Sequence, residues 1–177
     1  LNKEINWVPK STGEKRFSNW LSSANDWNLS RSRYWGIPLP IWRTIDKSET
    51  KVIGSVNELR SEINRSINYK HMEFNPLEDF EVDNMGDENY DKIDLHKDTV
   101  DNIILSSNEG KPMYREKDLI DVWFDSGAMP YAQVHYPFEN KDLIDKKKMF
   151  PADYIAEGVD QTRGWFYTLH VISTIVF

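Results

Sequence analysis

Apolar residues at Phe17, Trp20, Leu21, Ala24 and Trp27 recur every three or four positions, the spacing of one helical face. A helix over Phe17 to Trp27 is predicted. The next aromatic stretch, Tyr34 to Trp42, carries Pro38 and Pro40 two apart, cannot continue a helix and reads as extended chain or an edge strand. Ser55 to Glu58 has capping-box form, and Val56, Leu59, Ile63 and Ile67 follow at helical spacing, so Val56 to Asn68 is a second amphipathic helix. Val100 to Leu105 predicts a short strand and Asn108 to Pro112 a turn after it. In the last third, Leu119 to Phe124 is a largely apolar run that stops at Asp125-Ser-Gly127, a strand running into a turn. Tyr154 to Ala156 is a further brief apolar run. Trp165, Phe166, Leu169, Ile172 and Val176 then share a helical face, with Asp160 available as its N-cap.

A strand, a glycine turn and a helix make half of a parallel α/β unit, in which ligands sit beyond the carboxyl ends of the strands. Glu157 to Gln161 is therefore the first place to look for binding. Gly158 removes a side chain where a ligand must approach the backbone, while Glu157, Asp160 and Gln161 add acceptors and an amide suited to hydroxyls such as those of a ribose. An ordinary capped turn is the competing reading. Trp123, near the end of its predicted strand, and Trp165, at the start of the last helix, either pack a core or wall an apolar pocket. In Ser30-Arg-Ser-Arg-Tyr-Trp-Gly36, Arg31 and Arg33 suit phosphate or nucleic-acid contact, and suit equally a surface ion pair beside a tryptophan.

Composition narrows the chemistry. The chain has 177 residues, enough for one domain with a core, and no cysteine, which excludes disulfides, thiolate zinc sites, iron–sulfur clusters and cysteine nucleophiles. No apolar run approaches the roughly 20 residues that span a bilayer, so a soluble protein or part of one is expected, with no membrane partner. The net charge of −7 is unevenly spread: His71 to Asp101 holds eleven acids and two lysines and reads as a long surface loop or partly ordered insert. The four histidines, His71, His96, His135 and His170, are not paired at metal-ligand spacing, and Lys146 to Lys148 reads as a solvated charge run. No Ser-His-Asp order, nucleophile elbow or phosphate loop occurs. The chain starts at Leu1 and stops at Phe177 inside an apolar stretch, as expected of a piece of a longer polypeptide.

Three segments in order carry a resemblance. Asp26-Trp-Asn-Leu-Ser-Arg-Ser-Arg-Tyr-Trp-Gly-Ile-Pro-Leu-Pro-Ile-Trp42, Asp121-Val-Trp-Phe-Asp-Ser-Gly127 and Phe150-Pro-Ala-Asp-Tyr-Ile-Ala-Glu-Gly-Val-Asp-Gln-Thr-Arg-Gly-Trp-Phe166 resemble the isoleucyl-tRNA synthetases, of class I. The likeness covers both ends of the chain and is weak only from about Arg43 to Ile93. The valyl pattern expects Trp-Phe-Ser-Ser where this chain has Trp-Phe-Asp-Ser-Gly, which favours the isoleucyl subtype.

The resemblance implies an α/β fold: residues 1–45 return from an editing insertion, 46–115 form an acidic, variable connective insertion of α+β type, and 116–177 are the second half of a Rossmann-like nucleotide-binding core. It implies contact of Glu157, Gly158, Asp160 and Gln161 with an aminoacyl-adenylate, and an isoleucine side-chain pocket lined by Trp123 and Trp165. Arg31 and Arg33 stay as a possible tRNA or phosphate contact. Implied for the whole enzyme are isoleucine, Mg2+-bound ATP and tRNA(Ile) as substrates, formation of isoleucyl-adenylate by carboxylate attack on the α-phosphorus, and a cytoplasmic setting. No catalytic side chain and no metal or zinc site is assigned to this segment. The family's His-Ile-Gly-His and Lys-Met-Ser-Lys-Ser signatures are absent from it, so it is expected to be inactive alone, needing the rest of the synthetase chain. The two tryptophans can shape a pocket but cannot alone exclude valine, one methylene smaller. Rival readings are a valyl-type fragment, a carbohydrate-binding or glycosidase-like module with tryptophan platforms, and a non-catalytic tRNA-contacting piece.

Overall fold

The computed structural model describes residues 1–177. Its α-helices are α1 Ser18–Ser22, α2 Val56–Asn68, α3 Asp87–Tyr90, α4 Lys97–Val100, α5 Val122–Ala132, α6 Lys141–Asp145 and α7 Trp165–Val176. Its strands are β1 Ser30–Arg31, β2 Ile41–Thr44, β3 Thr50–Val52, β4 Leu105–Ser106, β5 Pro112–Arg115 and β6 Leu119–Ile120. The chain divides into two compact units, one of Leu1–Leu29 with Asp121–Phe177 and one of Ser30–Ile120. The middle unit thus begins earlier and ends later than 46–115, because β1 pairs antiparallel with β6 and ties its two ends together. No helix is long and apolar enough to cross a membrane.

In the middle unit, four antiparallel strands in the order β3-β2-β5-β4 carry α2 against one face. Alternation along β2 and β5 turns Trp42, Thr44, Met113 and Arg115 inward. Trp42, Leu59, Ile63, Leu77, Ile103, Leu105 and Met113 form the core, and the Trp42 indole donates to the Ile103 carbonyl at 2.8 Å. The capping box is realised with a shift: Ser55 Oγ accepts the Glu58 amide at 3.1 Å, while the Glu58 carboxylate accepts from Gly54 rather than from Ser55. Arg115, its side chain 1% exposed, pairs with Asp101 and donates to the carbonyls of Leu39 and Asp118.

The acidic stretch is more ordered than its composition predicts. Leu77 and Phe80 are buried, and buried Asn89 accepts the Glu81 amide at 2.9 Å while donating to the carbonyls of Glu81 and Asn84. One side chain there replaces a backbone ladder. Val100 ends α4 instead of opening a strand, since the chain turns through Asp101 and Asn102 and only Leu105–Ser106 pairs with β5. The Asn108–Pro112 turn forms as expected, with Gly110 at φ +79°.

The other unit is helical, and no strand belongs to it. The predicted Phe17–Trp27 helix instead runs as wide turns from Thr12 to Phe17 and as α1 to Ser22. The Ser22 and Ser23 hydroxyls both bond the Asn19 carbonyl at 2.9 Å and close the helix, leaving Ala24 and Trp27 beyond it. The predicted strand Leu119–Phe124 stops at Ile120, because Asp121 accepts the Trp123 amide at 3.2 Å and starts α5. Tyr154 to Ala156 is extended but unpaired: from Phe150 to Glu157 no backbone group bonds another. Tyr131, Ile144 and Ile172 form this unit's core, with Trp27, Phe124 and Phe150 packed against it.

Candidate functional site

Gly158 caps a tight turn of 3-10 helix, Val159–Arg163, and a β-carbon at 158 would run into the Asp160 carboxylate. The last helix therefore starts at Trp165, after Gly164, and Asp160 is not its N-cap. Gln161 supplies the cap in its place: its Oε1 accepts the Trp165 amide at 2.9 Å. Its amide nitrogen donates to the Asp160 carboxylate at 3.0 Å, so the two polar side chains of the turn hold each other. Thr162, fully buried beneath, receives the Arg16 guanidinium at 2.9 Å and donates to the Val159 carbonyl.

The two tryptophans reach the turn from different helices. Trp165 heads α7, and its indole N–H donates to the Ser126 carbonyl of α5 at 2.8 Å. Trp123, in the first turn of α5 and 42% exposed, lays its ring edge 3.4 Å from where a β-carbon of Gly164 would stand. Such a β-carbon would also meet Gln161 Oε1 at 2.6 Å, so residue 164 admits only glycine without rearrangement. Trp123, Gln161, Gly164 and Trp165 are thereby gathered at one place, with Asp160 and Gly158 adjoining. Glu157 is fully on the surface beside them, as is every residue from Pro151 to Asp160.

Helix-to-helix contact sets this geometry. A β-carbon on Gly127 would stand 2.7 Å from Ile172 Cδ1 and 3.0 Å from the Thr168 backbone, so glycine there lets α5 and α7 approach closely. Asp121 anchors the start of α5 twice, through the Trp123 amide and through the Trp27 indole, which donates to it at 2.9 Å. Asp125, one turn on, has a sequestered oxygen with no hydrogen-bond partner; burial, and then the Asp121 charge, push its carboxyl above the usual range. Arg163 lies over the Trp20 ring at 4.8 Å.

Gly127, Gly164, Asp121 and Pro130 escaped the sequence reading. The last two had a signal: an aspartate two residues before a tryptophan suits an N-cap, and a proline four residues after Ser126 withholds that carbonyl's helical donor. Arg31 and Arg33 belong to the other unit. There Arg31 bonds the Ser30 carbonyl at 2.8 Å, and Arg33 is exposed beside Trp35, whose ring stacks on His96. No group of three or more His, Cys, Asp or Glu gathers where it could hold a metal ion.

Comparison with known proteins shows the family of the chain. The isoleucine–tRNA ligase of Bacteroides fragilis is 65% identical over 179 residues, covering 100% of this chain and 16% of the relative. That of Porphyromonas gingivalis is 61% identical over 175 residues, covering 99% and 15%. The cytoplasmic isoleucine–tRNA ligase of Arabidopsis thaliana is 44% identical over 179 residues, covering 99% and 13%. The chain thus spans about a sixth of the length of the bacterial relatives. The family model described as tRNA synthetases class I (I, L, M and V) matches residues 1–177, the whole chain, which therefore belongs to the class I tRNA synthetases.

Proposed function

We propose that this chain is part of an isoleucine–tRNA ligase, which activates isoleucine with ATP to isoleucyl-adenylate and transfers it to tRNA(Ile) in the cytoplasm. The observation that carries the reading is the convergence of Trp123, Gln161, Gly164 and Trp165 at the start of α7, two indoles beside a polar glycine turn. Trp123 and Trp165 line the isoleucine side chain, and Glu157, Gly158, Asp160 and Gln161 surround the adenylate. Gln161 is already held to the Asp160 carboxylate and to the Trp165 amide of α7, so it meets a ligand without reorganising. The relatives' shared description as isoleucine–tRNA ligases supports the isoleucyl subtype over a valyl one and over a sugar-binding module.

Residues 116–177, which carry α5 and α7, form the second half of a Rossmann-like core. Its support is the apolar run Tyr154 to Ala156 within the exposed segment Pro151 to Glu157, whose backbone groups bond no other backbone group and stay open to a neighbouring strand. The unit Ser30–Ile120 is the connective insertion, its two ends zipped by β1 and β6. ATP enters as its Mg2+ complex.

The test is isoleucine-dependent pyrophosphate exchange by the full-length enzyme carrying Trp123→Ala, Trp165→Ala or Gln161→Ala. The tryptophan variants should raise the KM for isoleucine by about tenfold or more, from lost apolar contact, while the KM for ATP holds. Unchanged isoleucine kinetics in both would overturn the pocket assignment. The 177 residues alone should show no exchange.

A further inference from the structure

A shallow groove of about 410 Å3 opens on the sheet of the middle unit. Arg43 and Tyr114 are register partners on β2 and β5, so both stand on the face opposite buried Trp42 and Met113. Lys47 borders the groove from the turn after β2 and Lys117 from just beyond β5. Its carboxylates are Glu116 and Asp118, outnumbered by cationic side chains although the whole chain carries −7. Arg43 bonds Glu116 through one terminal nitrogen at 3.0 Å, whereas its Nε is shielded from solvent and has no acceptor. The other terminal nitrogen takes no part in that pair.

We propose that this groove is an anion site that takes a phosphate group. The second terminal nitrogen of Arg43 supplies a directional bond, the exposed Lys47 and Lys117 side chains supply charge, and the Tyr114 hydroxyl adds a donor. Arg115 takes no part, because Asp101 and backbone carbonyls already engage it. The phosphate is either the free anion or a phosphodiester of an RNA backbone. The inference stands apart from the adenylate reading, since no residue of that site enters it.

The test is titration of the whole 177-residue chain with inorganic phosphate at low ionic strength, followed by calorimetry, with a short RNA hairpin as the second arm. Saturable phosphate binding is expected, abolished by Lys47→Glu with Lys117→Glu and weakened about tenfold by Arg43→Lys, which keeps a cation for Glu116 but removes the second terminal donor of the guanidinium. Glu116→Gln should tighten binding, a gain that misfolding cannot mimic. Hairpin binding whose salt slope falls by about one in the lysine variants identifies a phosphodiester; phosphate binding without hairpin binding identifies the free anion. Absence of saturation in the unaltered chain, or equal phosphate affinity in the double lysine variant, overturns the proposal.

Discussion

The indole N–H of Trp165 donates to the carbonyl of Ser126 at 2.8 Å, and Ser126 lies four residues before Pro130 in α5. An α-helical carbonyl normally accepts from the amide four residues on, which proline lacks. Proline thus frees an acceptor inside a helix, and a tryptophan from the neighbouring helix takes it. This bond fixes one wall of the proposed isoleucine pocket to the helix that carries the other wall, Trp123.

Trp165→Phe should therefore lower the stability of the chain by about 1 kcal/mol through the lost bond, beyond any change in packing. The same substitution in a Pro130→Ala background should cost less, because residue 130 then offers Ser126 an amide of its own. Denaturant unfolding of the two single variants and the double variant measures the coupling. Strict additivity would show that proline and indole act independently.

Gly127→Ala places a methyl group against Ile172 and the Thr168 backbone, where no flexible chain end alone can yield. A loss of about 1–3 kcal/mol is expected from overpacking. In the full-length enzyme it should also raise the KM for isoleucine, because it separates the helices that carry Trp123 and Trp165. Chemical denaturation and pyrophosphate exchange read the two effects.

His170 packs edge-on to Phe17, ring centroids 5.4 Å apart, and burial holds its imidazole below its ordinary value of 6.5. The unfolded chain then takes up the proton first as pH falls. Stability from this group is complete above about pH 6.5 and declines as pH drops from there toward the lower folded value. His170→Gln should flatten that part of the stability–pH curve. A curve of unchanged slope between pH 7 and 5 in thermal melts of the variant would refute it.

Arg115→Met removes a buried guanidinium that answers Asp101 and the carbonyls of Leu39 and Asp118. Leaving those acceptors unpaired should cost about 3–5 kcal/mol, concentrated in the middle unit. Amide hydrogen exchange should show lost protection in β2 and β5 and little change in α5 and α7.

Local signals in the sequence were strong where one segment settles its own structure. Val56–Asn68 is bounded as its apolar spacing and Ser55 cap predict, and the Asn108–Pro112 turn forms around Gly110. Trp123, Trp165, Asp160 and Gln161 were legible as candidate site residues because aromatic and amide side chains flank a glycine turn. Their mutual arrangement was not. Leu119–Phe124 reads as a strand by composition, yet the Asp121 cap turns its second half into a helix. Asp160 reads as an N-cap, yet Gln161 performs that role, since the intervening 3-10 turn moves the helix start to Trp165.

What the sequence alone determined is the kind of protein: three specific segments in order mark a class I synthetase, because a long ordered match is far more specific than any single glycine motif. Tertiary structure decided which groups meet. The ordering of an acidic stretch rests on Asn89 satisfying backbone groups from residues 81 and 84. The close approach of α5 and α7 rests on Gly127, and the hold on Trp165 rests on an acceptor freed by Pro130, 35 positions earlier in the chain. The last two are contacts between residues distant in sequence, and periodicity along a chain carries no record of which side chain will reach a freed carbonyl.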